Sequence, residues 1–249
     1  MCELYLHSAG RPTSRHPWLP EFLARSREPY DNPDGWGVAF HVGDDAQLFH
    51  QPEPAHDSEL ARFVETHAYA VKTVVGHIRK ASTGDVTLAN TQPLSRVIGR
   101  RRLIFAHNGS VAELKTNPEG RTFRDRALGT ADSEIALLAF IDFLHGRRLR
   151  QCVADFPHFA ARMAGIGPFN LVVTDGEDVL AYSDRRQHTG DPPDTLRGPG
   201  LVMQRVPGSL VLSSEPLAES SEAVPRGTAL HIRGAEVVSR HQGALPQAA

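Results

Sequence analysis

The sequence predicts an α+β fold, on three observations. Short apolar runs separated by turn signals recur along the chain, which is the spacing of antiparallel strands. One segment, 133–144, is apolar on nearly every side and reads as a helix enclosed between layers. No internal repeat, low-complexity tract or linker divides the chain, so 1–240 reads as one domain, with a disordered tail over 241–249.

Taken in order, Glu3 to His7 reads as a short strand and Ser8 to Pro20 as loop, with a short helix over Trp18 to Arg25. The turn signal Asp31-Asn32-Pro33-Asp34-Gly35 feeds a strand, Trp36 to Val42. Gly43-Asp44-Asp45 then turns the chain back through Gln47 to Gln51 as a hairpin. Ser58 can cap a helix to His67, with Leu60, Phe63 and Val64 on its apolar face. The β-branched run Val71 to Ile78 reads as a buried strand. A polar loop leads to Leu94, then a strand Leu103 to His107 stops at Asn108-Gly109. Lys115 to Gly129 is polar and turn-rich. Asp132-Ser133 start the strongest helix, and Phe156 to Met163 is a weaker one. The last third reads as β: Asn170 to Thr174 and Val179 to Ser183 flank a hairpin turn, and Thr189 to Pro199 is an exposed loop. Leu210 to Ser214, Ala229 to Ile232 and Glu236 to Ser239 are the remaining strands.

Bulk properties exclude several functions. The chain of 249 residues is long enough to bury a real core. A net charge of -2 gives no basis for a nucleic-acid or anionic-membrane partner. The arginine clusters at 100–102 and at 147, 148 and 150 read as solvated faces or helix ends. The two cysteines, Cys2 and Cys152, rule out a disulfide scaffold. The 13 histidines show no metal-ligand spacing, so neither a metal nor an organic cofactor is expected. Glu3, Arg11, Pro12 and Arg15 interrupt any secretory signal, and no run is long enough for a membrane helix, so a cytoplasmic location is expected.

The chemistry centres on Cys2. Methionine aminopeptidase removes an initiator Met that precedes a small residue. A chain starting at Cys2 would carry a thiol of pKa roughly 8.5 and an α-amine of pKa roughly 7.7–8.0 on one residue. That amine can serve as the nucleophile's own base. Asn108-Gly109 can aim a side-chain amide and a backbone N–H at one oxygen, or can be a plain turn. Arg79, closing Gly76-His77-Ile78-Arg79, offers a fork for a carboxylate or for a structural ion pair. Asp132 is placed to cap the buried helix and to offer its second oxygen to an ammonium group. Two glycines in Asp34-Gly35-Trp36-Gly37 suggest a tight backbone approach near the nucleophile.

Met1-Cys2, Asp34-Gly35-Trp36-Gly37, Gly76-His77-Ile78-Arg79 with Ser82, Ala106-His107-Asn108-Gly109-Ser110 and Ala131-Asp132-Ser133-Glu134 occur in that order. Together they resemble the class II glutamine amidotransferases, which are N-terminal-nucleophile hydrolases, in their stand-alone, YafJ-type branch. The resemblance continues through Phe169-Asn170-Leu171-Val172 to Ser213-Ser214-Glu215-Pro216-Leu217 and Val224-Pro225-Arg226-Gly227. It implies a four-layer αββα sandwich of two antiparallel sheets between helices. It also implies Cys2 as nucleophile, Asn108 and Gly109 as oxyanion hole, Arg79 on the substrate α-carboxylate, Asp132 on the α-ammonium and Ser82 near the substrate. Gln92 stands where the family often has His before Pro93.

The implied reaction is hydrolysis of the γ-amide of glutamine through a γ-glutamyl thioester on Cys2. No synthase domain is present in the sequence, so a separate ammonia-accepting synthase is the expected partner. A γ-glutamyl hydrolase is the alternative, as in ergothioneine-pathway relatives, because a γ-glutamyl metabolite or peptide presents the same zwitterionic end. A non-catalytic glutamine-binding regulatory module is the third reading. The pattern of choloylglycine-type amidases, which also begin Met-Cys, is absent.

Overall fold

The computed structural model describes residues 1–67 and 69–243. Thirteen strands form two antiparallel sheets in the described chain. The first has the order β11-β9-β10-β1-β4-β2-β3. It contains β1 (Glu3–Thr13), β2 (Trp36–Val42), β3 (Asp45–Gln51), β4 (Val71–Ile78), β9 (Leu201–Val206), β10 (Ser209–Ser213) and β11 (Glu222–Val224). The second has the order β13-β12-β8-β7-β6-β5. It contains β5 (Leu94–Ile98), β6 (Arg101–Gly109), β7 (Phe169–Thr174), β8 (Asp178–Ser183), β12 (Thr228–Arg233) and β13 (Glu236–Gln242).

Alternation along the strands builds the layers. On β1, Leu4 and Leu6 enter the core between the sheets, while Tyr5 faces the other way. There Tyr5 meets Phe22 and Leu23 around α1 (Leu19–Leu23), a cluster that also takes in Ala61 and Val64 of α2 (Glu59–Thr66). On β6, Ile104 and Ala106 face the inter-sheet core. Leu103 and Phe105 instead pack under α4 (Asp132–Leu144) and α5 (Phe156–Ile166). Period-two alternation thus gives each sheet two apolar faces, so each must be covered on both sides. The result is the four-layer αββα sandwich. Ten of the thirteen residues of the helix 132–144 are buried, while Asp142 in its last turn is exposed.

Several elements differ from expectation. β1 runs on to Thr13, through residues read as loop, because β4 continues to pair with it across a bulge between Ser8 and Thr13. β5 forms in a stretch for which no element was expected, and the polar, turn-rich segment after it contains a short helix α3 (Pro118–Arg124), capped by the Asn117 side chain on Gly120 N. β9 and β11 were also unforeseen; β9 forms a hairpin with β10, and β11 adds to β9 as the edge strand. The tail expected from residue 241 does not begin there. His241 and Gln242 pair with Ala229 and Thr228 in the β12–β13 ladder. Residues 244–249 lie outside the described residues.

Candidate active site

Cys2 precedes the central strand of the first sheet, so β4 and β10 clamp the residues next to it: Glu3 opposes Ile78 and Tyr5 opposes Ser213. The Cys2 thiol donates to Lys80 O at 3.2 Å and lies 3.3 Å from Lys80 N. Asp34 and Gly35 hold the segment that carries Lys80. Arg79 N donates to Gly35 O at 2.7 Å and Asp34 N to Arg79 O at 3.1 Å. Asp34 Oδ2 accepts from Ala81 N at 2.7 Å. Gly35 has φ +137°, and a Cβ at Gly37 would collide with the Gln92 carbonyl. The Asp-Gly-Trp-Gly stretch therefore is the close backbone approach its glycines suggested.

Burial raises the thiol pKa of Cys2, and the Lys80 N–H opposes that shift. The Met1 amine is shifted downward, chiefly by burial. With Met1 attached, the Cys2 nitrogen is an amide and not a base.

Asn108 and Gly109 end β6 beside Cys2. Asn108 Nδ2 donates to Cys2 O at 2.6 Å and to Ser214 Oγ at 3.1 Å, and its Oδ1 is buried without a partner. Turning the amide over would set two acceptor oxygens face to face, so the Cys2 carbonyl fixes its orientation. Gly109 has φ +153°, and a Cβ there would run into the Pro168 carbonyl oxygen. Only glycine fits.

Arg79 is buried, and its guanidinium meets three backbone carbonyls: Asp85 at 2.9 Å, Gly84 at 3.1 Å and Thr83 at 3.2 Å. No carboxylate pairs with it among the described residues. Asp132 corrects an expectation. The N-cap of α4 is Ala131, with Asp132 as the first helical residue. Its buried carboxylate instead accepts from Val111 N at 2.6 Å and Thr83 Oγ1 at 2.8 Å. No lysine or arginine pairs with it among the described residues. Two buried opposite charges thus flank one loop, 83–85, without an ionic partner each. Buried charges are normally paired, so the arrangement suits a zwitterion. Ser82 is exposed nearby.

Two concavities meet at this point. A recess of about 20 Å³ is bordered by Arg79, Asp132, Cys2, Ser82 and Gly109. A cavity of about 710 Å³ is bordered by Met1, Cys2, Lys80, Ser82 and Gly109 and continues past Tyr30, Pro168 and His188.

Sequence reasoning missed the cluster around Glu3 and named Gln92 without its contacts. Glu3, in an otherwise apolar strand, is buried between Arg25, at 2.8 Å, and Arg186. The charge embedded in Cys2-Glu3-Leu4-Tyr5-Leu6 was its signal; the arginine partners lie 22 and 183 residues away. Gln92 braces the strand that leads to Asn108. Its Oε1 accepts from His107 N at 2.8 Å and its Nε2 donates to His107 O at 3.0 Å. His107 Nδ1 lies 2.9 Å from Ser133 Oγ. Burial lowers the pKa of His107 and takes that of His77 down to about 3, so both rings are neutral near pH 7.

The family model described as class II glutamine amidotransferases matches residues 1–193. YafJ of Escherichia coli (strain K12), named as a putative glutamine amidotransferase, is 32% identical over 194 residues, 76% of this chain and 75% of that one. A Haemophilus influenzae protein of the same designation is 28% identical, over 76% of this chain and 65% of its own. Among solved structures, a predicted glutamine amidotransferase from Pseudomonas aeruginosa superposes with a TM-score of 0.64 at 24% identity, covering 96% of this chain and all of that one. Glutamine phosphoribosylpyrophosphate amidotransferase from B. subtilis gives 0.64 at 16% identity, over 97% of this chain and 49% of its own. The last two likenesses bear on the fold, which this chain shares with those two proteins. With its family model matched from residue 1 to 193 and that relative at 32% identity, the chain belongs to the class II glutamine amidotransferases.

Proposed function

We propose that this chain hydrolyses the γ-amide of a γ-glutamyl substrate, glutamine being the simplest, with Cys2 as nucleophile once Met1 is removed. The observation that carries this reading is the pair of buried, ionically unpartnered groups, Arg79 and Asp132, in the recess beside the Cys2 thiol. The α-carboxylate takes the Arg79 fork in place of the carbonyls of 83–85, and the α-ammonium takes Asp132. At about 20 Å³ the recess admits no amino acid while that loop sits on Arg79, so binding moves the loop outward.

Anchored there, the side chain brings its γ-carbon to Sγ. A thiol raised in pKa by burial needs a base, and the freed Cys2 amine supplies one. The thiol proton passes to the amine as Sγ attacks. Gly109 N–H holds the oxyanion, joined by the Asn108 amide as it gives up its bond to Cys2 O or to Ser214 Oγ. The proton then goes to the departing nitrogen, and water cleaves the thioester, releasing glutamate. Ammonia from glutamine passes to water or to a separate synthase.

The test is intact mass and peptide mapping after exposure to a diazo-ketone analogue of glutamine. The expected result is loss of Met1 and one adduct on Cys2, with no adduct and no glutamate release in Cys2→Ala. Glutamate release by Cys2→Ala at the wild-type rate would overturn the proposal.

A further inference from the structure

We infer that Asn90 is a positioning residue: its side chain ties the loop on Arg79 to the entrance of α4, so that the α-carboxylate and α-ammonium sites act as one unit. This role rests on the function proposed above and concerns how that site reads both charges of a zwitterion.

Asn90 is buried and borders the recess that Arg79 and Asp132 share. Its Oδ1 accepts from Thr130 N at 2.7 Å and from Ala131 N at 3.0 Å. Its Nδ2 donates to Asp85 O at 2.9 Å and to Thr130 Oγ1 at 3.0 Å. A side-chain amide has two donors and two acceptor lone pairs, so all four are in use. Two backbone N–H donors face Oδ1, which fixes the orientation of the amide.

Both segments that Asn90 holds end on a charge of the site. Asp85 O accepts from Asn90 and also from Arg79 Nη1, each at 2.9 Å. Ala131 is the N-cap of α4, and Asp132 is the first residue of that helix. One side chain therefore spans from a partner of the guanidinium to the residue before the carboxylate. The substrate carboxylate displaces Arg79 from the carbonyls of 83–85. Asp85 O then keeps its bond to Asn90. Thr83 O and Gly84 O accept from Arg79 alone among the described residues. The loop thus opens at Thr83 and Gly84 and stays anchored at Asp85.

The seam between the two segments is closely fitted. A Cβ at Gly129 would lie 2.2 Å from Asn90 Oδ1. One at Gly84, where φ is +75°, would lie 2.9 Å from Ala131 N. Glu134 fastens the far side to α4, accepting from Gly129 N at 2.7 Å and Leu128 N at 3.0 Å. With the segments tied, a ligand that seats its carboxylate finds Asp132 already in register with its ammonium. Without the tie, each charge is bound by itself, and the loss falls on ligands that carry both.

The experiment follows glutamine hydrolysis, and its inhibition by glutamate and by glutarate, in the processed protein, Asn90→Ala and Thr130→Val. Glutarate lacks the α-ammonium and engages only the Arg79 side. Asn90→Ala should raise KM for glutamine about tenfold and hold kcat within about threefold. It should raise Ki for glutamate about tenfold more than Ki for glutarate. Thr130→Val removes the acceptor of one Asn90 bond at an exposed position. It should act in the same direction by about threefold, and it decides the matter where Asn90→Ala shows no cooperative urea transition. An unchanged KM, a loss confined to kcat or an equal rise in both Ki values would overturn the inference; a merely structural Asn90 gives the last of these. With the wild type hydrolysing glutamine, such a result sinks the coupling alone. A wild type that turns over no γ-glutamyl substrate and takes no diazo-ketone label on Cys2 sinks the proposed function with it.

Discussion

At the scale of single residues, the site depends on a few groups whose alternatives are excluded by contact. In the structure the Asn108 amide donates to Cys2 O at 2.6 Å and to Ser214 Oγ at 3.1 Å, so the oxyanion task proposed for it requires that it release one of these bonds. Asn108→Ala should lower kcat on the order of a hundredfold to a thousandfold with a much smaller change in KM. A fall in kcat/KM arising from KM alone would remove Asn108 from the oxyanion role. Arg79→Lys keeps the charge but loses the planar fork. It should raise KM at least tenfold and spare kcat, as read from initial rates. Cys2, Arg79, Asn108 and Gly109 stood out in the sequence because each residue type offers chemistry its neighbours lack. Asp132 was legible as a position but not as a contact. Its oxygens go to Val111 N and Thr83 Oγ1, groups that no local pattern places beside it.

At the scale of elements, β1 is the part that must not move, because it carries Cys2. Glu3 locks it laterally to Arg25, after α1, and to Arg186, after β8. A buried charge stripped of its partner is strongly destabilising, by about 3–5 kcal/mol. Glu3→Ala leaves two buried guanidinium groups without their shared carboxylate and should lower the unfolding free energy by about that amount, measured by urea denaturation. A loss below ~1 kcal/mol would mean that the cluster is solvated. Strands with strong alternation or β-branched runs, such as β2, β4 and β7, were readable from local pattern. β5, β9 and β11 were not. β5 and β11 are edge strands, and β9 reads as strand only once β10 and β11 flank it. Their pairing comes from neighbours that composition does not reveal.

At the scale of the whole molecule, three apolar layers bury many histidines along with the aliphatic core. Burial takes His7 and His41 down to about 4 and His77 to about 3. His16, His50 and His107 shift the same way. Their native pKa values lie below the unfolded value of 6.5, so between these limits the unfolded chain binds more protons. Stability is therefore full above pH 6.5 and is lost as pH falls toward the native values. Each fully differential histidine contributes roughly 1.4 kcal/mol per pH unit. Tm should drop steadily from about pH 7 to about pH 5; a flat profile would mean that these rings are hydrated in the native state. Among the described residues, no helix is long and apolar enough to cross a membrane.

Fold class, most strands, the enclosed helix and the family were readable along the chain. They rest on periodicity and on residue types in fixed order, which are local properties. The neighbourhood of the nucleophile was not. Glu3 meets Arg186 across 183 residues, and Asn108 meets Cys2 across 106. Arg79 and Asp132 share a recess only because β4 and α4 converge on one end of the sandwich. The 186–197 segment becomes a cavity wall only when Glu215 holds it. Such contacts join segments whose local signals are independent of one another, so they exist only after the sheets have paired and packed.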